Sequence, residues 1–255
     1  MADISIEPAE MNSPTVDPLN ILQQGEISLK GEFLWGSNYT FLVDVELGGE
    51  ALLAVYKPTR GERPLWDFAA ASLARREVAA YLVSEALEWN FVPLTAYRDN
   101  APFGPGSLQL FVEHDPDYNY FNFSPEDLQR LLPVAAFDLL INNADRKGSH
   151  ILRDPDGHLW LIDHGLCFHA HDKLRTVIWD FVGEIIPDDI YENIMRFHKQ
   201  LSGLQPESSE LVTGLLPYIN SAEVRALVQR AEQLIGAGHF PDPDPEHRSY
   251  PWPQI

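Results

Sequence analysis

The stretch Asn142-Asn143-Ala144-Asp145-Arg146-Lys147-Gly148-Ser149-His150-Ile151-Leu152, closed by Leu161-Ile162-Asp163-His164-Gly165, decides how this chain is read. It sets two carboxylates in different surroundings. Asp145 stands in a polar loop between apolar runs, whereas Asp163 ends the apolar run Leu159-Trp160-Leu161-Ile162 and is followed closely by Gly165. Asp154-Pro155-Asp156-Gly157 between them is a turn signal, so the segment reads loop, strand, turn, strand, loop.

Taken singly, a loop Asp is commonly an Asx turn and a strand-end Asp a cap. Together they suit phosphoryl transfer, in which one Asp orients the attacking hydroxyl and another holds Mg²⁺ on the nucleotide phosphates. A carboxylate closing an apolar strand is costly to bury without a partner. Mg²⁺ is a hard ion that favours such a carboxylate together with phosphate oxygens.

Upstream the chain is strand-rich. Residues 1–20, acidic and Pro-containing, read as a flexible lead. Phe33 to Val43 reads as strand, Gly/Ser/Asn turn, strand, and Ala51 to Pro58 as a third strand stopped by Pro. Phe68 to Glu88 holds no Gly or Pro and spaces its apolar residues as a helix does. Phe91-Val92-Pro93 and Ser107 to Val112 read as two further strands, and Asp115 to Phe123 as the connection to a second lobe. Ser124-Pro125-Glu126-Asp127 is a helix start, with the helix expected to run to about Asn142. Residues 188–202 and 221–237 read as helices, and 241–255 as an extended tail. The expected class is therefore α+β, in two lobes: a strand-rich one over about 21–114 and a mainly helical one over about 115–240.

Composition narrows the partners. The chain has 255 residues, 45% of them hydrophobic, enough for a sizeable core. Its 38 acidic and 18 basic residues leave a net charge of -20, a surface repelled by nucleic acid and by anionic membranes. The single cysteine, Cys167, excludes an internal disulfide and a thiolate metal cluster. His164, His169 and His171 have mixed spacing and no cysteine partners, which argues against zinc. With no signal-peptide pattern and no apolar run of membrane-spanning length, the expectation is a soluble, cytoplasmic protein without stable membrane association.

Four stretches in order, Lys57-Pro58, Gln109 to Val112, Asn143 to Arg146 and Ile162 to Gly165, resemble the phosphatidylinositol 3-/4-kinase superfamily of the protein-kinase-like fold. The likeness is to its small bacterial members and to type II phosphatidylinositol 4-kinases, and spans roughly residues 28–182. The resemblance implies ATP as phosphate donor and Mg²⁺ as cofactor, with γ-phosphate transfer to a hydroxyl on a protein or small-molecule acceptor. It implies Asp145 as the catalytic residue facing that hydroxyl and Asp163 as the metal ligand. Lys57 would neutralise the nucleotide phosphates and Glu77 would hold it, with Glu85 as the rival. Gly36, Ser37 and Asn38 would form the turn over the phosphates, and the backbone around Gln109, Phe111 and Val112 would meet adenine. Arg146 and Lys147 are placed to hold a transferred phosphate.

His150 stands where the family pattern carries a metal-binding Asn. Imidazole prefers softer metals than Mg²⁺. His150 could therefore touch the phosphate directly, serve a site that uses one Mg²⁺ or accepts Mn²⁺, or mark a chain that has lost transfer and acts as a nucleotide-binding pseudokinase. Transfer of the AMP part of ATP on the same fold is a further alternative.

Overall fold

A computed structural model describes residues 16–32, 39–202 and 209–255. Five strands, β1 (Glu26–Glu32), β2 (Phe41–Leu47), β3 (Glu50–Pro58), β4 (Thr95–Arg98) and β5 (Gly106–Leu110), form one antiparallel sheet in the order β1-β2-β3-β5-β4. Alternation along β2 and β3 turns Val43, Val45, Ala54 and Tyr56 to one face. Helix α1 (Pro18–Gln24) covers that face with Ile21 and Leu22. This helix begins inside the stretch expected to be a flexible lead, with Asp17 capping it through the Leu19 N–H at 3.1 Å.

Helix α2 (Leu73–Ala86) packs across β4 and β5. It starts five residues later than the sequence suggests. Ala71 takes φ 57 and the Ser72 hydroxyl turns back onto the Ala69 carbonyl at 2.6 Å, so the first helical turn cannot form earlier. Phe91 and Val92 are not a strand. Their N–H groups donate to Ser84 Oγ at 2.7 and 3.2 Å, which withdraws them from any ladder, and the strand forms at Thr95 instead. The expected strand start at Phe33-Leu34 and the Gly36-Ser37-Asn38 turn lie outside the described residues.

The second lobe is helical around one core that includes Phe137, Leu140, Phe168, Phe197 and Leu227. The expected long helix from Ser124 is two: α3 (Pro125–Gln129) and α4 (Leu132–Ile141). Pro133 supplies no N–H to the Gln129 carbonyl and would clash with it, so the helix breaks there. The hairpin β6 (Ile151–Arg153) and β7 (Leu159–Leu161) follows the Asp145 loop. Then come α5 (Asp188–Ser202), the short α6 (Glu210–Leu215), for which no sequence signal was read, and α7 (Ser221–Ala237). Among the described residues no helix is long and apolar enough to cross a membrane.

Candidate active site

Between the lobes lies a cleft of about 710 Å³, and several of the residues singled out by sequence, Lys57, Glu77, Asp145, His150 and Asp163 among them, line it. On β3, Ala54 and Tyr56 face the α1 core, which leaves Val55 and Lys57 on the cleft side. Lys57 Nζ lies 2.5 Å from Glu77 Oε1 and 3.2 Å from Asp163 Oδ1. The other Glu77 oxygen accepts the His164 N–H at 2.9 Å, so one carboxylate fixes both the lysine and the backbone beside Asp163. Glu85, the rival, is exposed on α2. Burial works against the charge on Lys57, but Asp163 and Glu77 outweigh it and hold the ammonium above its ordinary range.

Asp163 takes φ 63, a left-handed conformation that Asp and Asn tolerate best among residues with a side chain. The sharp turn after β7 is thus made by the aspartate itself and not by Gly165. Gly165 has a different duty: a Cβ there would meet Leu73 Cβ at 3.2 Å, so its smallness lets the loop lie against α2. Gly165→Ala is expected to push the loop off α2 by a few tenths of an ångström and to lower the melting midpoint, measurable by thermal denaturation. Half of the Asp163 side-chain surface stays open to the cleft, and Lys57 above all holds its carboxyl well below the usual carboxylate range.

Asp145 is set by the loop that follows α4. Asn142 ends that helix at φ 52, Asn143 Oδ1 accepts the Asp145 N–H at 3.0 Å, and the Arg146 N–H donates to the Arg175 carbonyl at 2.9 Å. Asp145 Oδ2 lies 3.2 Å from Lys147 Nζ. Burial pushes its carboxyl up to about 6; Lys147 and Arg175 work downward and Asp163 upward. It is largely ionised at neutral pH yet close enough to neutrality to exchange a proton.

His150 Nε2 lies 3.3 Å from Asp163 Oδ2, and burial pushes the imidazole down to about 4, outweighing Asp163. Its Nδ1 is buried with no hydrogen-bond partner among the described residues. A metal-bound histidine ordinarily donates its other N–H to an acceptor. The open, ionised Asp163 carboxylate therefore fits a hard divalent ion, and the orphaned Nδ1 fits His150 poorly as a second ligand.

Two expectations change. Arg146 does not face the cleft: it is fully buried, bonded to Asp138, to the His150 and Ile162 carbonyls and to His164 Nε2. It cannot hold a transferred phosphate. His164 Nε2 must accept from Arg146, which can only donate, so His164 is neutral and unavailable to a metal. Along the connecting strand, the Phe111 N–H donates to the Leu53 carbonyl at 2.9 Å and is taken from any purine. Gln109 lines the cleft but its amide donates to Thr95 Oγ1. The Val112 N–H has no partner among the described residues, and Val112 lines the same cleft. Sequence reasoning missed Asp138, although a charge within the apolar run Leu132–Ile141 signals a buried partner.

Residues 69–197 match the family described as phosphatidylinositol 3- and 4-kinase. The chain belongs to that family. The Mycobacterium tuberculosis protein Rv2133c is 39% identical over 268 residues, covering 91% of this chain and 94% of its own length. Among solved structures, hydra Fam20 with sugar superposes with a TM-score of 0.57 at 16% identity, covering 86% of each chain. The Golgi casein kinase with Mn/ADP bound superposes with a TM-score of 0.56 at 16% identity, covering 93% of this chain and 79% of its own. The two-lobed α+β fold of this family member is thus protein-kinase-like.

Proposed function

We propose that the chain is an ATP-dependent kinase that transfers the γ-phosphate to a hydroxyl on a protein or small-molecule acceptor. The carrying observation is the meeting of Lys57, Glu77 and Asp163, from β3, α2 and the loop after β7, in a cleft that Asp145 also lines. Lys57 binds nucleotide phosphate oxygens and Glu77 keeps it aimed. The Val112 N–H, without a partner among the described residues, would donate to the purine edge. Asp163 would hold Mg²⁺ or Mn²⁺, which supplies neutralisation of the charge on the phosphates. His150, neutral and beside Asp163, offers Nε2–H to a phosphate oxygen instead of serving as a metal ligand. Asp145 orients the acceptor hydroxyl and receives its proton as the oxygen attacks in line. The net charge of -20 and the few cations after Asp163, Lys173 and Arg175, favour an acceptor away from anionic membrane surfaces, in the cytoplasm.

The test is incubation of the purified protein with γ-³²P-ATP in Mg²⁺ and in Mn²⁺, following ATP loss and self-labelling. Metal-dependent transfer of γ label supports the reading. Label arriving from α-³²P-ATP instead assigns AMP transfer, and metal-aided ATP binding without any transfer assigns a pseudokinase. Asp145→Asn is expected to lower turnover on the order of 10²- to 10⁴-fold with nucleotide affinity nearly unchanged. Because Lys147, Asp163 and Arg175 are the charged groups facing Asp145, and its carboxyl titrates at about 6, turnover should rise with pH through about 6 as the base form accumulates. That limb should vanish from the residual rate of Asp145→Asn.

A further inference from the structure

Three consecutive residues of α2 reach in three directions, as a step of about 100° per residue requires. Arg75 NH1 donates to the Pro217 carbonyl at 2.8 Å, in the connection between α6 and α7. Glu77 holds Lys57 and the His164 N–H. Arg76, between them, is 4% exposed and turns into the helical lobe. Its NH2 meets Glu223 Oε1 at 2.5 Å, and its NH1 donates to the Cys167 carbonyl at 2.6 Å, four residues beyond Asp163. Its guanidinium carbon lies 5.0 Å from the centre of the Phe68 ring.

Glu223 is as fully engaged. It stands in the first turn of α7, is 5% exposed, and its second oxygen accepts the Asn220 N–H at 2.9 Å in a capping box. The helix that carries Glu77 is thereby pinned to α7 by one buried ion pair and to the segment after Asp163 by a hydrogen bond from the same guanidinium. Such a pair is an indifferent source of stability, because desolvation of both charges offsets their attraction. What it supplies well is direction: a guanidinium with fixed N–H vectors and a carboxylate held by a cap admit little rotation of α2 about its axis.

We propose that the Arg76–Glu223 pair is a positioning latch that keeps Glu77 turned onto Lys57 and His164, so that the nucleotide cleft stands assembled without an activating partner. The proposal rests on the kinase reading for its purpose, but the geometry it asserts can be measured without phosphate transfer.

The measurement is hydrogen exchange at the His164 amide, which Glu77 protects, in the full chain without nucleotide. Exchange is expressed relative to amides inside α4, so that a general loss of stability cancels. Glu77→Gln sets the reference for a weakened bond. Glu223→Gln keeps the shape but removes the charge and leaves one acceptor oxygen, which can cap Asn220 or meet Arg76 but not both. It should speed His164 exchange on the order of tenfold relative to α4 and raise the KM for ATP more than it lowers kcat. Glu223→Asp, which restores the charge, should recover part of the protection. Should Glu223→Gln fail to fold, the paired apolar change Arg76→Met with Glu223→Met removes both charges together and serves in its place. A folded variant of either kind whose His164 exchange equals that of the parent protein overturns the latch. If exchange rises as stated while the parent protein transfers no phosphate, the latch stands and the kinase reading falls.

Discussion

Asp163→Asn is expected to fold normally and to lower metal-dependent phosphate transfer on the order of 10³-fold, the scale seen when one preorganised stabiliser of transition-state charge is removed. The asparagine keeps the shape of the side chain and tolerates φ 63, so the loop between β7 and Gly165 has no reason to move. Lys57 retains Glu77, which lies closer to it than Asp163 does, so the ammonium is not stranded. What is lost is the negative charge that, in the proposed kinase, would hold the metal on the phosphates. Asp163→Ala is the less clean variant, because an alanine in the left-handed region adds about 1 kcal/mol of backbone strain to the lost carboxylate. Its melting midpoint should fall below that of Asp163→Asn while its transfer rate is no lower. The comparison needs γ-³²P-ATP turnover, thermal melts and nucleotide titration with and without Mg²⁺. An asparagine variant that turns over near the parent rate would remove Asp163 from the reaction.

The elements that position the site were legible where a local signal and a tertiary role coincide. Pro58 stops β3 and the alternation before it fixes the side to which Lys57 points. The Asp154-Pro155-Asp156-Gly157 turn makes the hairpin after Asp145 legible. Helix α1 was missed for the opposite reason. Seven residues cannot hold a helix alone, and this one exists because Ile21 and Leu22 bury against Val43 and Val45. The choice between Glu77 and Glu85 depended on which face of α2 turns toward Lys57 and the cleft once the helix packs on β4 and β5. Helical spacing alone does not fix that, and the sheet does. His150 was legible as a departure from the family pattern. Only its burial and its unpartnered Nδ1 argue that it is a neutral donor. Arg146 was misplaced because a guanidinium beside a catalytic loop looks the same in sequence whether it faces solvent or core.

Arg146→Ala should be the most destabilising single change near the site, costing about 3–5 kcal/mol against a usual total of about 5–15 kcal/mol. Asp138, fully buried on α4, accepts Arg146 Nε at 3.0 and 3.2 Å, Asn143 Nδ2 at 3.1 Å and Thr176 Oγ1 at 3.1 Å. Without the guanidinium its charge keeps only neutral donors, the Ile162 carbonyl loses its guanidinium donor, and the His150 carbonyl keeps only the Ile162 N–H. Arg146→Lys restores charge but not the fork, so its urea midpoint should lie between those of the alanine variant and the parent. Thr176→Val, which removes a single donor, should cost about 1 kcal/mol. Replacing both charges, Arg146→Met with Asp138→Leu, separates the two duties of the network. An apolar pair of similar volume can recover much of the stability, since it leaves no uncompensated charge. It cannot recover the bonds by which Arg146 joins the loop of Asp145 to the residues on either side of Asp163. The double variant is therefore expected to unfold at a urea concentration near that of the parent while its phosphate transfer stays at least about tenfold lower, because small misplacement of the two aspartates is enough to slow the reaction. Equal stability with equal turnover would mean that the buried network holds the fold alone and the aspartates find their places without it.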